Sequence, residues 1–416
     1  MEEYYLWLQT AMGAANPKAS RFIERYGSPK EAYRIFKEEK DRRFLSLKER
    51  ERCEETDLDE CRRILDKCQR DGISIMTIGD GDYPYRLQNI YSPPILLFYK
   101  GNLKGLNNEF CISGVGSRNP TMYTARITDA ICTDIAGIGA VLVSGMAEGV
   151  DHLVHNAAIN AGGKTIGVLA CGLNVEYPKE SLKTRERIYE LGGACISELL
   201  PDAGVVRNYF HERNRIIAGL SVGTMVFQAS EHSGSLITAE HTVNLGRDLY
   251  CVPPHNLFSP EYYGVVKYLR EGAIPLFDAF DVINNSRSEL TESIQCKYQL
   301  TPEYHFSIVN ENEPEDFYDN GSPAKITALK RTVSKPKKEK AVSRTGEAAA
   351  AKYDFDSREP EYRRIYRFLS ENGKQQLENI TAGCNISPDD ISLYLLELEM
   401  DGIVECCPGA NYKIKE

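Results

Sequence analysis

Between residues 110 and 252, short apolar runs alternate with segments of helical period, and this alternation restricts the chain to one fold class. The runs at 110–115, 140–144, 165–170, 194–198, 224–228 and 249–252 are almost continuously apolar, as strands buried on both faces must be. Helical patterns fill the intervals at 121–137, 151–161, 179–191, 213–220 and 236–245. Strand and helix in strict series predict an α/β fold, a doubly wound parallel sheet over residues 71–285 with helices on both faces. Gly139, Gly162-Gly163 and Gly192-Gly193 fall where those helices have to stop.

The flanking segments follow other rules. Residues 1–70 carry helix signals only. Gly27 ends one helix, and Ser28-Pro29-Lys30-Glu31 begins the next with a capping Ser, Pro at the first position and Glu at the third. A small helical domain is expected there. Residues 286–355 lose all period and are rich in Ser, Asn, Glu and Lys, with the basic run Lys335-Pro336-Lys337-Lys338-Glu339-Lys340. That composition predicts a disordered linker, a solvated spacer or, through its basic run, an auxiliary tether for a polyanion. Residues 356–416 become periodic again. Helices are expected at 362–369 and 377–382, and a third from Ser387-Pro388-Asp389-Asp390 to Met400. A hairpin over 402–414, turning at Pro408-Gly409, completes a winged helix-turn-helix.

Several functions are set aside by composition. No apolar run approaches the roughly 20 residues that span a bilayer. Met1-Glu2-Glu3 is acidic, which predicts no secretory signal. The twelve cysteines include no CxxC pair and no regular spacing, so neither a zinc site nor a disulfide framework is expected. Reduced thiols in apolar patterns (Cys111, Cys132, Cys195, Cys251) suit a cytoplasmic protein. Net charge is −10, and residues 105–285 hold 13 Lys and Arg against 19 Asp and Glu. A polyanion site on this chain has to be a local basic groove on an acidic body.

Three turns have the chemistry for such a groove. Gly116-Ser117-Arg118 follows the first buried strand, on the side where open α/β sheets bind ligands. Backbone N–H groups and the Ser hydroxyl suit a phosphate, and Arg118 adds charge. A dinucleotide site fits poorly, because Asn119 replaces the third glycine of G-x-G-x-x-G and the next strand ends in Ser144-Gly145 rather than in a ribose-binding acid. The second turn is Phe210-His211-Glu212-Arg213-Asn214-Arg215, read as the start of a helix whose apolar face is Ile216, Ile217 and Leu220. Alternate residues face differently, so ligand contact competes with a core ion pair for each arginine, more strongly for Arg215. Phe210 is either core or a platform for a base, a contact worth about 1–3 kcal/mol. The third turn, Ser233-Gly234-Ser235 with Thr238, is another small-residue helix start. Asp151 and His155, one turn apart, are expected to form a structural pair with Asp151 capping its helix, since no Ser or Cys nearby stands in a nucleophile context.

These motifs in this order and spacing resemble the DNA-processing protein DprA (Smf) family. The residues that carry the likeness are Gly116-Ser117-Arg118, Ser144-Gly145, Gly149-Val150-Asp151, the Arg213–Gly219 stretch and Ser233-Gly234-Ser235-Leu236-Ile237-Thr238-Ala239. The resemblance covers nearly the whole chain. It implies a small helical domain of the SAM-like or helix-hairpin-helix kind, an extended Rossmann-like domain and a C-terminal winged helix. It implies a non-enzymatic protein without a cofactor that binds single-stranded DNA, forms a homodimer and loads the RecA recombinase in natural transformation. Carried over by position, the DNA pocket takes in Arg118, Lys179, Arg207 and the Arg213–Arg215 turn. The chain departs from the family at Glu148, where Arg is common, at His211, where Pro is, at Pro254, where Gly is, and at Val266, where Asn is.

A second class stays open: a nucleotide-processing enzyme of the phosphoribohydrolase kind, which needs a catalytic acid at the second glycine-rich turn. Glu231 and Glu240 flank that turn here. The third helix of the winged domain carries Asp389, Asp390, Ser392, Glu397 and Glu399 and neither Lys nor Arg, so it is expected to face a protein or regulate the DNA site rather than read a duplex.

Overall fold

The computed structural model describes residues 1–39, 45–179, 181–291 and 294, and, towards the C-terminus, 360–384, 386, 391, 394–395, 398–399, 403–407 and 411–414. These residues fall into two compact units, one holding the N-terminal helices and a large sheet, the other the C-terminal region.

Nine strands form the large sheet: β1 (Ser74–Thr77), β2 (Leu96–Gly101), β3 (Cys111–Val115), β4 (Val141–Ser144), β5 (Thr165–Val168), β6 (Ala194–Ser197), β7 (Gly223–Val226), β8 (Asp248–Cys251) and β9 (Ile274–Pro275). Their order is β1-β2-β6-β5-β4-β3-β7-β8-β9. From β6 to β9 every neighbouring pair is parallel. The strands β2 and β1 add to the β6 edge in antiparallel fashion. This pair lies ahead of the alternating pattern and is antiparallel, so the β–α period does not announce it.

The α-helices of the first unit that are fully described are α1 (Glu2–Met12), α2 (Lys18–Tyr26), α3 (Pro29–Arg34), α4 (Leu47–Glu55), α5 (Leu58–Arg70), α6 (Tyr85–Gln88), α7 (Met122–Gly137), α8 (Val150–Asn160), α9 (Ser181–Glu190), α10 (Arg207–Leu220), α11 (Ser235–Asn244), α12 (Tyr263–Arg270) and α13 (Ala279–Asn285). Successive strand residues point to opposite faces. Ile112, Leu142 and Met225 therefore pack with Ile131 and Ile135 of α7 and Val154 of α8. Their neighbours Cys111, Val143 and Val226 pack with Ile216, Ile217 and Leu220 of α10 and Ala239 of α11.

The capping expected at Ser28 is present: its hydroxyl accepts from Glu31 N, Pro29 opens α3, and Gly27 ends α2 at φ +80°. The five N-terminal helices do not stand apart from the sheet. Leu6, Trp7, Phe22 and Phe36 share one apolar cluster with Leu96 and Phe98 of β2, Ile188 of α9 and Cys195 of β6. Gln9 stitches the junction, donating to Glu198 O at 2.7 Å and accepting from Leu96 N at 3.1 Å. At the other end the folded unit runs past residue 285, where the linker was expected to begin. Ser286 bonds Tyr250, and Leu290 and Ile294 are buried in the core. The rest of the expected linker lies outside the described residues.

In the second unit, α14 (Pro360–Asn372) and α15 (Leu377–Cys384) pack beside a three-stranded sheet. Its strands are β10 (Gln375–Gln376), β11 (Val404–Cys407) and β12 (Asn411–Ile414), in the order β10-β12-β11. This is the expected winged helix. Ile391, Leu395 and Leu398 of the third helix lie in its core. Most of that helix's acidic face, and the 408–410 turn, lie outside the described residues.

Candidate functional site

The strand order reverses at β3, with β4 on one side and β7 on the other, and open sheets take ligands in the crevice beyond the strand ends at such a point. Here the crevice is a cavity of about 620 Å³. Its wall comes from the loop after β3, the loop after β4, the face of α10 and the turn before α11. Of the residues singled out from the sequence, Gly116, Ser117, Arg118, Arg207, Phe210, Arg213, Asn214, Ser233, Gly234, Ser235 and Thr238 line it.

Each position is set by its backbone. A Cβ on Gly116 would come within 2.7 Å of Val150, so the first loop lies directly on the start of α8. Val150 N donates to Ser117 O at 3.0 Å, and Gly149, at φ +78°, clears the carbonyls of Ser117 and Arg118. Met146 also has a positive φ, 55°, which costs a non-glycine residue about 1–3 kcal/mol. The loop after β4 is thus held in a strained shape against the loop after β3. Gly145 leaves room for a side chain: a Cβ there would lie 1.7 Å from Arg213 Nη1.

Arg213 enters through that gap. It is 6% exposed, and Nη1 donates to Val168 O at 2.8 Å, at the end of β5. Burial pushes its pKa down to about 10, against the opposing pull of Asp151. It therefore stays cationic at neutral pH. Asp151 is in the wall too, and burial raises its pKa while Arg213 lowers it. Arg213 Nε and Thr238 Oγ1 are buried without a partner, and such groups cost about 1–3 kcal/mol each while unmade.

At the rim, the Arg118 guanidinium lies over the Phe210 ring at 5.0 Å, and the Tyr177 ring meets Phe210 edge-on at 5.6 Å. Asn214 Nδ2 donates to Gly234 O at 3.2 Å, tying α10 to the Ser233-Gly234-Ser235 turn. That turn places the positive end of α11 at the cavity.

Four of the singled-out residues are elsewhere. Ser144 is fully buried and donates to Gly114 O at 2.7 Å. Gly145 acts only by being small. Lys179 is exposed on the loop after β5, outside the wall. Arg215 points away from the cavity into a buried ion pair with Glu198. The reason is helix geometry. The arginines are not at a helix start, since α10 begins at Arg207. At 100° per residue, positions 213 and 215 lie on nearly opposite faces. No side-chain cap marks the true start after Val206, so nothing local signals it.

The expected Asp151–His155 pair does not form. Asp151 accepts from Ala147 N at 3.3 Å, with Gly149 as the N-cap of α8. His155 Nδ1 instead meets Thr165 Oγ1 at 2.8 Å, and that hydroxyl donates to Leu142 O. The threonine must then accept, so Nδ1 carries the proton. Burial lowers the His155 pKa to about 3. Glu148 is exposed between wall residue Ala147 and Gly149. Sequence reasoning missed Val205 and Ile217 as wall residues, and their apolar character gave no cue. Among the described residues no cluster of His, Cys, Asp or Glu suits a metal, and no helix is long and apolar enough to cross a membrane.

Comparison with known proteins adds the following. The family model described as DNA recombination-mediator protein A matches residues 74–287, and that of the DprA winged helix domain matches 348–410. DNA processing protein DprA of Bacillus subtilis is 39% identical over 220 residues, 53% of this chain and 73% of its own length. Protein Smf of Synechocystis is 29% identical over 354 residues, 84% and 82% of the two chains. The X-ray structure of DprA from Streptococcus pneumoniae superposes with a TM-score of 0.59 at 29% identity, covering 68% of this chain and 98% of that one.

Proposed function

The chain belongs to the DNA recombination-mediator protein A (DprA/Smf) family, and from that premise we propose that its cavity binds single-stranded DNA without catalysis. One observation carries the reading. Arg118, Arg207 and Arg213, brought together from the loop after β3 and from two turns of α10, line one cavity whose rim bears an arginine-stacked phenylalanine. Guanidinium groups suit phosphates, and an aromatic ring suits an unstacked base. The base faces of a duplex are not available to such a rim, which favours the single strand.

The hydrolase reading draws less support. Glu231 and Glu240 are exposed and outside the wall. Asp151 is in it, but faces Arg213 and the Ala147 amide. In this proposal nucleoside monophosphates incubated with the protein release no ribose phosphate; turnover would reverse the assignment. The wider role we infer is that of a cytoplasmic homodimer that hands DNA to the RecA recombinase in natural transformation, an inference that rests on family membership.

The test is an anisotropy titration of labelled single-stranded and duplex oligonucleotides over a range of salt. The single strand is expected to bind tighter, with log K falling by about 0.7 per phosphate contact for each unit of log salt. Arg118→Ala, folded, is expected to weaken all sequences alike, because phosphate contacts position the strand without reading it. Wild-type affinity in that variant would refute the site.

A further inference from the structure

Outside the cavity wall, a buried cation is held by backbone carbonyls. Arg185 of α9 is 2% exposed. Its Nη1 donates to Leu173 O at 3.2 Å, and its Nη2 to Val175 O and Tyr177 O, both at 3.0 Å. All three carbonyls belong to the loop that leaves β5. That loop has no ladder of its own to satisfy them, and buried carbonyls need donors. The guanidinium supplies them from inside. On the outside, Asn174 bonds Asp71 at 2.7 Å and Asp202 at 3.0 Å. The loop is thus clamped from both sides up to Tyr177, whose ring meets Phe210, which in turn carries Arg118.

We propose that Arg185 is a positioning residue for the nucleic-acid site: it fixes the loop after β5 so that Tyr177 holds the Phe210–Arg118 stack at the cavity rim. The inference rests on the single-strand reading of that cavity. Arg185 touches no ligand and acts through the loop. Lysine in its place keeps the charge but is a point donor, unable to span three carbonyls in one plane.

The test uses the full chain with Arg185→Lys, Tyr177→Ala and the double variant. Affinity is read with an oligothymidylate, and loop order by hydrogen exchange at Gly172, Asn174 and Val175, whose amides are hydrogen-bonded in the clamped loop. Each single variant is expected to weaken binding on the order of tenfold, the scale of one lost stacking platform. The salt slope stays unchanged, because no phosphate contact is removed. The double variant is expected to be no weaker than the singles, the signature of two residues on one link. Exchange at the three amides is expected to quicken in Arg185→Lys. Additive losses, a changed slope, or wild-type affinity in Tyr177→Ala would overturn the proposal, and the last still decides if Arg185→Lys does not fold. If the wild-type protein binds no single strand, the cavity reading fails; the exchange rates alone then judge the clamp, and unchanged rates refute it.

Discussion

At the scale of single residues, the cavity depends on what is small or neutral as much as on what is charged. Gly145→Ala places a methyl where Arg213 Nη1 now lies. The variant is expected to lose about 1–3 kcal/mol of stability, as overpacked sites do, together with most of its single-strand affinity. Urea unfolding and the anisotropy titration check both, and an unaffected Gly145→Ala would mean Arg213 does not use that gap. Glu148, exposed at the rim, is repulsive to phosphate. Glu148→Arg is expected to tighten binding and to steepen the salt slope by about 0.7 for one new phosphate contact; an unchanged slope would show that the side chain points away from the strand. His155 makes a pH prediction. Its folded pKa of about 3 lies below the ordinary 6.5, so the unfolded chain binds the extra proton. The stability it contributes is complete above pH 6.5 and is lost as pH falls towards 3, at about 1.4 kcal/mol per unit. His155→Asn, which keeps a donor for Thr165 but does not titrate, is expected to show a shallower loss between pH 6.5 and 5 than wild type. Parallel curves would contradict the buried neutral histidine.

At the scale of elements, strands β3 to β8 were legible because burial on both faces leaves a continuous apolar signature; β9, two residues long, leaves none. The two strands of the winged-helix hairpin, β11 and β12, and the Ser28 cap were legible for similarly local reasons, whereas β10, two residues long, was not. What was not legible depended on contacts between distant segments. The start of α10 at Arg207 has no cap, so nothing local separates a helix beginning at 207 from one beginning at 213. Arg215 was drawn into the core by Glu198, seventeen positions away. His155 chose a threonine on β5 over an aspartate in its own helix. The N-terminal helices were read as separate because their own periodicity is complete; only the fold shows that they finish the core over β2 and β6. A prediction follows from that shared core. Trp7, the one tryptophan in the chain, sits fully buried in α1. Its emission in urea is expected to change at the midpoint at which single-strand binding is lost. An earlier Trp7 transition would mean the helices melt as an independent domain. Trp7→Ala is expected to cost about 3–5 kcal/mol, the range for a large aromatic removed from a core.

At the scale of the whole molecule, the proposal puts polyanion binding in the cavity, since the chain is acidic overall and the third helix of the winged domain, residues 387–400, carries neither Lys nor Arg. A chain ending at residue 355 is therefore expected to bind single strands with the affinity and salt slope of the full chain; a lost increment in slope would place phosphate contacts in residues 356–416. Light scattering at micromolar concentration is expected to give the mass of two chains, and a monomer would remove the dimer from the proposal. How two copies could meet is limited by the far border of the large sheet. There β9 is only two residues long and ends in Pro275, which has no N–H to offer. A border of this kind cannot serve as a template, because a strand from a second molecule would find almost nothing to zip onto. Self-association at that end has to be a meeting of side chains, and that border is spared the strand-by-strand growth that an unguarded strand invites.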